Sequence, residues 1–226
     1  MKSNQWILGF VFLTLSSNLF AESTTSVPAD IALQRLIDGN NRFTQGKAKR
    51  PNQSPERIRE VSKKQFPFAT IIGCSDSRVP NEIVFDQGLG DLFIIRTAGQ
   101  VSTYASWGSI EFSVAVLGVN LVVVLGHSKC GAVDAACKSN EVPGHIITLT
   151  NAIKPAAEKT KHLEGDWLQN AVKANVALQV TSLRKLDPIL SKQYNSGKLL
   201  IVGAVYDLET GKVSFLDEDY ILSIAK

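Results

Sequence analysis

The sequence predicts an α/β fold in which a mainly parallel central sheet carries an antiparallel edge strand and is flanked by helices. Short apolar runs at 68–73, 92–96 and 120–126 alternate with segments of helical periodicity, as in proteins built from parallel strands and crossover helices. The run at 120–126 is almost entirely valine and leucine, which is typical of a strand covered on both faces. A turn at 210–211 joins the last strand-like runs into a hairpin that supplies the antiparallel edge.

Periodicity and terminal residues predict the helices. The first covers residues 29–38 and is expected to end at Gly39, and the second begins after Ser54, a residue type that caps helix N-termini. Three later segments show the same apolar periodicity: 106–117, 131–138 and 166–185.

The composition indicates one globular domain. The chain has 226 residues, of which 44% are hydrophobic and 20% are charged, enough for a single full-sized core. The net charge of +3 is small, and no basic cluster is interleaved with aromatic residues, so we expect no nucleic-acid partner.

Residues 1–21 have the organisation of a secretory signal peptide. Lys2 is followed by an apolar stretch at 6–15, and Ala21 precedes the expected cleavage point. The apolar stretch is about half of the ~20 residues that a membrane-spanning helix needs. We therefore expect a periplasmic or secreted mature chain, residues 22–226, with no membrane attachment after cleavage.

Three potential metal ligands follow predicted strands. Cys74 ends the run at 68–73, and His127 and Cys130 follow the run at 120–126. Each alone is more simply explained as a buried cysteine or a core histidine, but strand ends of an open α/β sheet are where sites form. Two cysteines and one histidine match a catalytic zinc site that leaves its fourth position open. We expect one Zn²⁺ per subunit.

Asp76 and Arg78 lie close to the first of these ligands. The aspartate either occupies the fourth metal position and closes the site, or is held away by a bidentate arginine contact that leaves the position open. A structural ion pair at a turn is the alternative interpretation. Their place beside a metal favours a catalytic role for both.

The cysteine spacing gives little support for disulfides. Cys130 and Cys137 are expected on one helix, about 10 Å apart, whereas a disulfide needs Cα atoms within about 7 Å. Cys74 and Cys130 would pair only in the absence of a metal.

These motifs resemble the β-class carbonic anhydrases. The similarity rests on residues 74–80 and 127–131, extends through 85–99 and 203–216, and covers approximately residues 30–219. The resemblance implies reversible hydration of carbon dioxide to bicarbonate and a proton by a zinc-bound hydroxide. It favours a site that is constitutively open.

The same resemblance implies a substrate pocket. By position, Gln65 would donate a hydrogen bond to a substrate oxygen, Phe93 would supply an apolar wall together with Ala98 and Phe112, and the Gly131 N–H would be a further donor. Many relatives carry a tyrosine where Phe112 stands. Core packing is an equally good explanation for both phenylalanines.

The resemblance also implies an assembly. Active sites in this family lie at dimer interfaces, and the N-terminal helices, around 30–43 and 54–64, would pack on the partner. We expect a homodimer or a dimer of dimers.

Two alternatives remain open at this level. Carbonyl sulfide or carbon disulfide hydrolysis would use the same scaffold. A non-catalytic zinc-binding or thiol-redox protein is less consistent with the chain, because Asp76 and Arg78 are intact and no Cys-x-x-Cys occurs.

Overall fold

The computed structural model describes residues 26–138 and 141–226. The signal peptide predicted for residues 1–21 lies outside these ranges and stays a prediction, as does the domain boundary at residue 22. Within the described ranges, no helix is both long enough and apolar enough to cross a bilayer.

One five-stranded sheet forms the centre of the described residues. Its order is β2-β1-β3-β4-β5; β1 to β4 run parallel, and β5 is antiparallel to β4. This confirms the predicted mixed sheet with an antiparallel edge. The strands are β1 (Ala69–Cys74), β2 (Leu92–Thr97), β3 (Leu121–His127), β4 (Leu200–Tyr206) and β5 (Val213–Phe215).

Helices flank this sheet, as predicted. They are α1 (Ala29–Thr44), α2 (Pro55–Val61), α3 (Asn81–Val84), α4 (Tyr104–Ala115), α5 (Gly131–Lys138), α6 (Ile146–Thr160), α7 (Trp167–Arg184), α8 (Leu190–Asn195) and α9 (Glu218–Ala225). A 3-10 turn, Ala98–Gln100, follows β2. The sequence prediction contains neither α6 nor α9.

The predicted end of α1 at Gly39 is wrong, because the helix continues to Thr44. A Cβ at Gly39 would lie 1.8 Å from the carbonyl oxygen of Phe85. Glycine therefore allows α1 to pack directly against the backbone after α3, and it does not end the helix.

Alternate residues of β3 fill two separate cores. Val122 and Val124 pack on the face covered by α7, whereas Leu121, Val123 and Leu125 pack on the face covered by α1. All five side chains are fully buried. Each such side chain contributes about 2 kcal/mol of apolar burial, so β3 is fixed in place from both sides.

The strand order creates a switch point between β1 and β3. β2 lies on the outer side of β1, and β4 lies on the outer side of β3, so the connections after β1 and β3 leave in opposite directions. Such a divergence opens a crevice at the carboxyl ends of the two strands. Cys74 and His127 are the last residues of those strands.

A buried carboxylate ties α1 to the loop that follows it. Asp86 accepts hydrogen bonds from Arg42 Nε at 2.6 Å, Lys49 N at 3.0 Å and Arg50 N at 2.8 Å. Its side chain is 1% exposed. Burial raises the pKa of Asp86, but the hydrogen bonds from Lys49, Arg42 and Arg50 outweigh it, and the pKa is lowered overall.

Asp86→Asn should lower the free energy of unfolding by about 2 kcal/mol at pH 7, because hydrogen bonds to a charged group are lost. A depressed folded-state pKa stabilises above the unfolded value of about 3.9, and that stability is lost as the pH falls through the folded pKa. The difference between parent and variant should therefore shrink below about pH 4. Urea unfolding of both proteins at neutral and acidic pH measures this difference in the free energy of unfolding.

Asp38→Asn is the matched control. Asp38 lies on the exposed side of α1 and accepts one hydrogen bond from Gln34 Nε2 at 2.8 Å. This control should leave the unfolding free energy almost unchanged at either pH. A parent-to-variant difference for Asp86 that does not depend on pH would contradict the assignment.

Candidate metal centre

Three buried donors converge at the switch point. Cys74, His127 and Cys130 place their ligand atoms within 4.8 Å of one another. Cys130 immediately precedes α5, so the short segment 127–130, called the metal-binding loop below, carries two of the three donors. The cysteines, including Cys137 on α5, are free thiols, which agrees with the prediction that Cys130 and Cys137 do not pair.

His127 presents one ring nitrogen to this cluster. Its Nδ1 lies 2.9 Å from the Ser128 carbonyl oxygen, and a carbonyl only accepts, so Nδ1 carries the proton. In the neutral tautomer that this contact selects, Nε2 is the nitrogen with the lone pair, and it is buried without a hydrogen-bond partner. A buried polar atom without a partner is costly, so a ligand for Nε2 is implied, and a metal ion fits this unprotonated nitrogen.

The sulfurs of Cys74 and Cys130 affect each other's pKa. A hydrogen bond from Cys130 lowers the pKa of Cys74, and the Gly99 N–H supports the Cys74 sulfur at 3.2 Å. The same bond to Cys74 raises the pKa of Cys130, burial raises it further, and the N–H groups of Val133 and Ala132 at the start of α5 oppose the rise. Backbone N–H groups thus support both sulfurs, Gly99 at Cys74 and the start of α5 at Cys130.

Asp76 and Arg78 form a bidentate pair beside the cluster. Arg78 Nε donates to Asp76 Oδ1 at 2.9 Å, and Nη2 donates to Oδ2 at 2.7 Å. The guanidinium holds the pKa of Asp76 well below its usual range. Oδ2 lies 3.7 Å from His127 Nε2. The carboxylate is thus ionised, oriented and adjacent to the three donors.

Arg96 was not among the residues predicted from the sequence. It pairs with Gly73 in the β1–β2 register, and its guanidinium donates to the carbonyl oxygens of Cys74 at 2.9 Å and Asp76 at 2.6 Å. These bonds fix the backbone on both sides of Ser75. The only signal in the sequence is a charged residue at the end of an otherwise apolar strand.

Two of the predicted pocket residues lie next to the ligands. Ala98 follows β2 and precedes Gly99, whose N–H contacts Cys74. Gly131 follows Cys130 and begins α5. Gly99 has φ +67°, and a Cβ there would lie 2.6 Å from Ile153 Cδ1 of α6. A glycine is therefore needed where this turn packs against α6.

The other three do not reach the cluster of their own chain. Phe93 pairs with Thr70, four residues before Cys74, which places it roughly 13 Å back along the strand. Its ring lies 6.3 Å from that of Phe112. Gln65 is exposed and precedes the first residue of β1, whereas Cys74 is the last residue of that strand.

Fold and site together define an α/β protein with a candidate metal centre at a switch point of a parallel sheet. Comparison with known proteins identifies the family more closely. The carbonic anhydrase family profile matches residues 69–213. Carbonic anhydrase 2 of Mycobacterium tuberculosis is 38% identical over 190 residues, 82% of this chain and 92% of that protein. The carbonic anhydrase of Mycolicibacterium smegmatis is 39% identical over 186 residues, 80% and 90% of the two chains.

Solved structures agree with this assignment. The β-carbonic anhydrase CcaA superposes with a TM-score of 0.67 at 28% identity, covering 83% of this chain and 96% of that chain. The Coccomyxa β-carbonic anhydrase gives 0.65 at 25% identity, with 81% and 86% covered. The chain belongs to the β-carbonic anhydrase family.

Arg96→Leu should weaken metal binding by about 10-fold or more, which is the usual effect of removing a group that orients metal ligands. The leucine keeps bulk but cannot hold the carbonyls of Cys74 and Asp76. Competition with a chromogenic chelator measures the affinity.

Arg59→Leu is the control, because Arg59 forms only an exposed ion pair with Glu56 on α2. Equal zinc affinities for the parent and for Arg96→Leu would show that the two backbone contacts do not organise the cluster.

Proposed function

We propose that this enzyme hydrates carbon dioxide reversibly to bicarbonate and a proton, using one zinc ion held by Cys74, His127 and Cys130. The observation that carries the proposal is the convergence of these buried donors within 4.8 Å at the switch point, in a chain of the β-carbonic anhydrase family.

The donor set suits zinc. Two cysteine sulfurs and one imidazole nitrogen are common ligands of catalytic zinc and leave one coordination position open. Zinc in such a site supplies a water molecule that ionises near neutral pH. The protein would contribute His127 Nε2, since the Ser128 carbonyl occupies Nδ1, and the Cys74 sulfur, which the Gly99 N–H supports.

Arg78 keeps Asp76 available as a hydrogen-bond acceptor beside the metal. Both carboxylate oxygens accept from the guanidinium, and the depressed pKa of Asp76 keeps it ionised at neutral pH. A carboxylate held in this way can accept a hydrogen bond from the reacting group without becoming a fourth ligand. This geometry favours the constitutively open form of the site.

Substrate contacts would come from both sides of the ligands. The N–H of Gly131, in the first turn of α5, is one of the amide groups that have no partner within their own helix, so it can donate to a bicarbonate oxygen. Ala98 offers an apolar surface next to Cys74, which suits carbon dioxide.

A second copy of the chain would complete the pocket with Gln65, Phe93 and Phe112. Phe112 is 44% exposed although it contacts Phe93, and Tyr104 on the same helix is 87% exposed. Exposed aromatic residues in one place are typical of an interface. A structural relative from Sordaria macrospora, at 24% identity and a TM-score of 0.67, is described as tetrameric; it covers 81% of this chain and 96% of its own.

Stopped-flow measurement of carbon dioxide hydration, with zinc quantified in the same preparation, tests the proposal directly. The parent should be active in proportion to its zinc content from about pH 6.5 to about 9, around the expected ionisation of zinc-bound water. Asp76→Asn should bind zinc and lose about 100-fold or more of its rate, because an oriented, charged hydrogen-bond acceptor is removed.

Glu218→Gln is the matched control. Glu218 also forms a bidentate pair with an arginine, Arg184, at 2.5 and 2.9 Å, but on α9. The hydration rate of Glu218→Gln should equal that of the parent.

Activity of the parent that appears only well above about pH 8 would contradict the open site. Full zinc occupancy without hydration at any pH would overturn the proposed reaction and favour the sulfur substrates or a binding role.

Phe112→Glu should separate the subunits and abolish hydration, because a charge would be buried against the partner and the pocket would lose its outer wall. Light scattering coupled to size-exclusion chromatography measures the mass, and stopped flow measures the rate.

Leu163→Glu provides the comparison, since Leu163 is 49% exposed beyond α6. We expect this control to keep the mass and rate of the parent. A Phe112→Glu protein that retained both would refute the shared pocket.

A further inference from the structure

We propose that Ser128 is a positioning residue of the metal centre and that the β4–β5 hairpin holds the metal-binding loop through it. This inference rests on the zinc centre proposed above. The hairpin turn, residues 207–212, would thereby act on His127 and Cys130 without touching the metal.

Ser128 is attached to the hairpin through two groups. Its backbone N–H donates to the Tyr206 carbonyl at 2.9 Å, and its Oγ accepts from the Leu208 N–H at 2.9 Å. The backbone amide and the hydroxyl of Ser128 therefore both bond to backbone groups of the hairpin.

The remaining polar group of Ser128 faces His127. Its carbonyl oxygen lies 2.9 Å from His127 Nδ1, the contact that leaves Nε2 free for the metal. His127 itself pairs with Tyr206 across β3 and β4. Any shift of residue 128 away from the hairpin would therefore change the orientation of the imidazole ring.

The hairpin turn is itself well ordered by hydrogen bonds. Asp207 Oδ1 accepts from Glu209 N at 3.1 Å, and from Thr210 N and Oγ1, both at 2.8 Å. A turn fixed in this way can serve as a rigid support. Leu208, which donates to Ser128 Oγ, belongs to this ordered turn.

The loop needs such a support because Lys129 adopts φ +55°. A lysine in the left-handed region is held there only by its surroundings. Its ion pair with Glu209 has side chains that are 63% and 69% exposed, so that pair contributes little. The hydroxyl and amide of Ser128 are the stronger attachments.

The test uses the zinc-loaded full chain, and measures the rate of zinc transfer to a chromogenic chelator. Ser128→Ala should release zinc about 10- to 100-fold faster than the parent, as expected when a group that orients a metal ligand is lost. Ser128→Thr keeps the hydroxyl and should restore slow release. Thr210→Val, which weakens the exposed turn without altering the loop, should accelerate release to a smaller extent.

Ser113→Ala is the matched control for general destabilisation. Ser113 accepts a buried hydrogen bond from Thr70 Oγ1 at 2.7 Å, near the other end of β1. It should lower the melting temperature and leave the zinc release rate unchanged. Equal release rates for Ser128→Ala and the parent, or an equal acceleration in Ser113→Ala, would overturn the inference.

Failure of the proposed function is distinguishable from failure of this inference. A parent that binds zinc tightly but does not hydrate carbon dioxide would overturn the reaction, while the release rates would still decide the role of Ser128. A parent that binds no zinc would overturn both. An active parent with unchanged release in Ser128→Ala and Thr210→Val would overturn only the role of Ser128.

Discussion

The parallel pairing of β1 with β3 is the constraint on which the site depends. Hydrogen bonding aligns Thr70 with Val122 through to Gly73 with Leu125, so the two strands end at the same edge of the sheet. Cys74 and His127 are far apart in the sequence, and this register alone makes them neighbours. The burial of β3 on both faces keeps that register from slipping, because a one-residue shift would exchange its two cores.

Short-range patterns predicted the strands well because each is a compact apolar run, and they placed Cys74, His127 and Cys130 at strand ends. Features set by distant contacts were not predictable in the same way. Gly39 resembles a helix end, but its role is to contact the carbonyl of Phe85. The helix α6 contains Pro155, a residue that normally argues against a helix interior.

Two residues near the site, Arg96 and Ser128, were missed by the sequence analysis because they bond to backbone groups. Arg96 and Ser128 act on carbonyl and amide groups, and these are present in every residue, so no pattern of side chains announces them. For the predicted pocket residues, the sequence does not tell which subunit each residue belongs to. Gln65, Phe93 and Phe112 were inferred from the resemblance, and a sequence carries no information about which copy of the chain supplies a residue. One chain can place Ala98 and Gly131 beside the ligands but not these three.

Contacts within the fold orient each donor of the cluster and the carboxylate beside it. Nδ1 of His127 is occupied by a carbonyl, Cys74 is supported by an amide, and Asp76 is held by Arg78. A metal binds both sulfurs as thiolates, so metal affinity should rise with pH until the thiol protons are lost. The same orientation leaves Asp76 beside the cluster, ionised and available for the reaction.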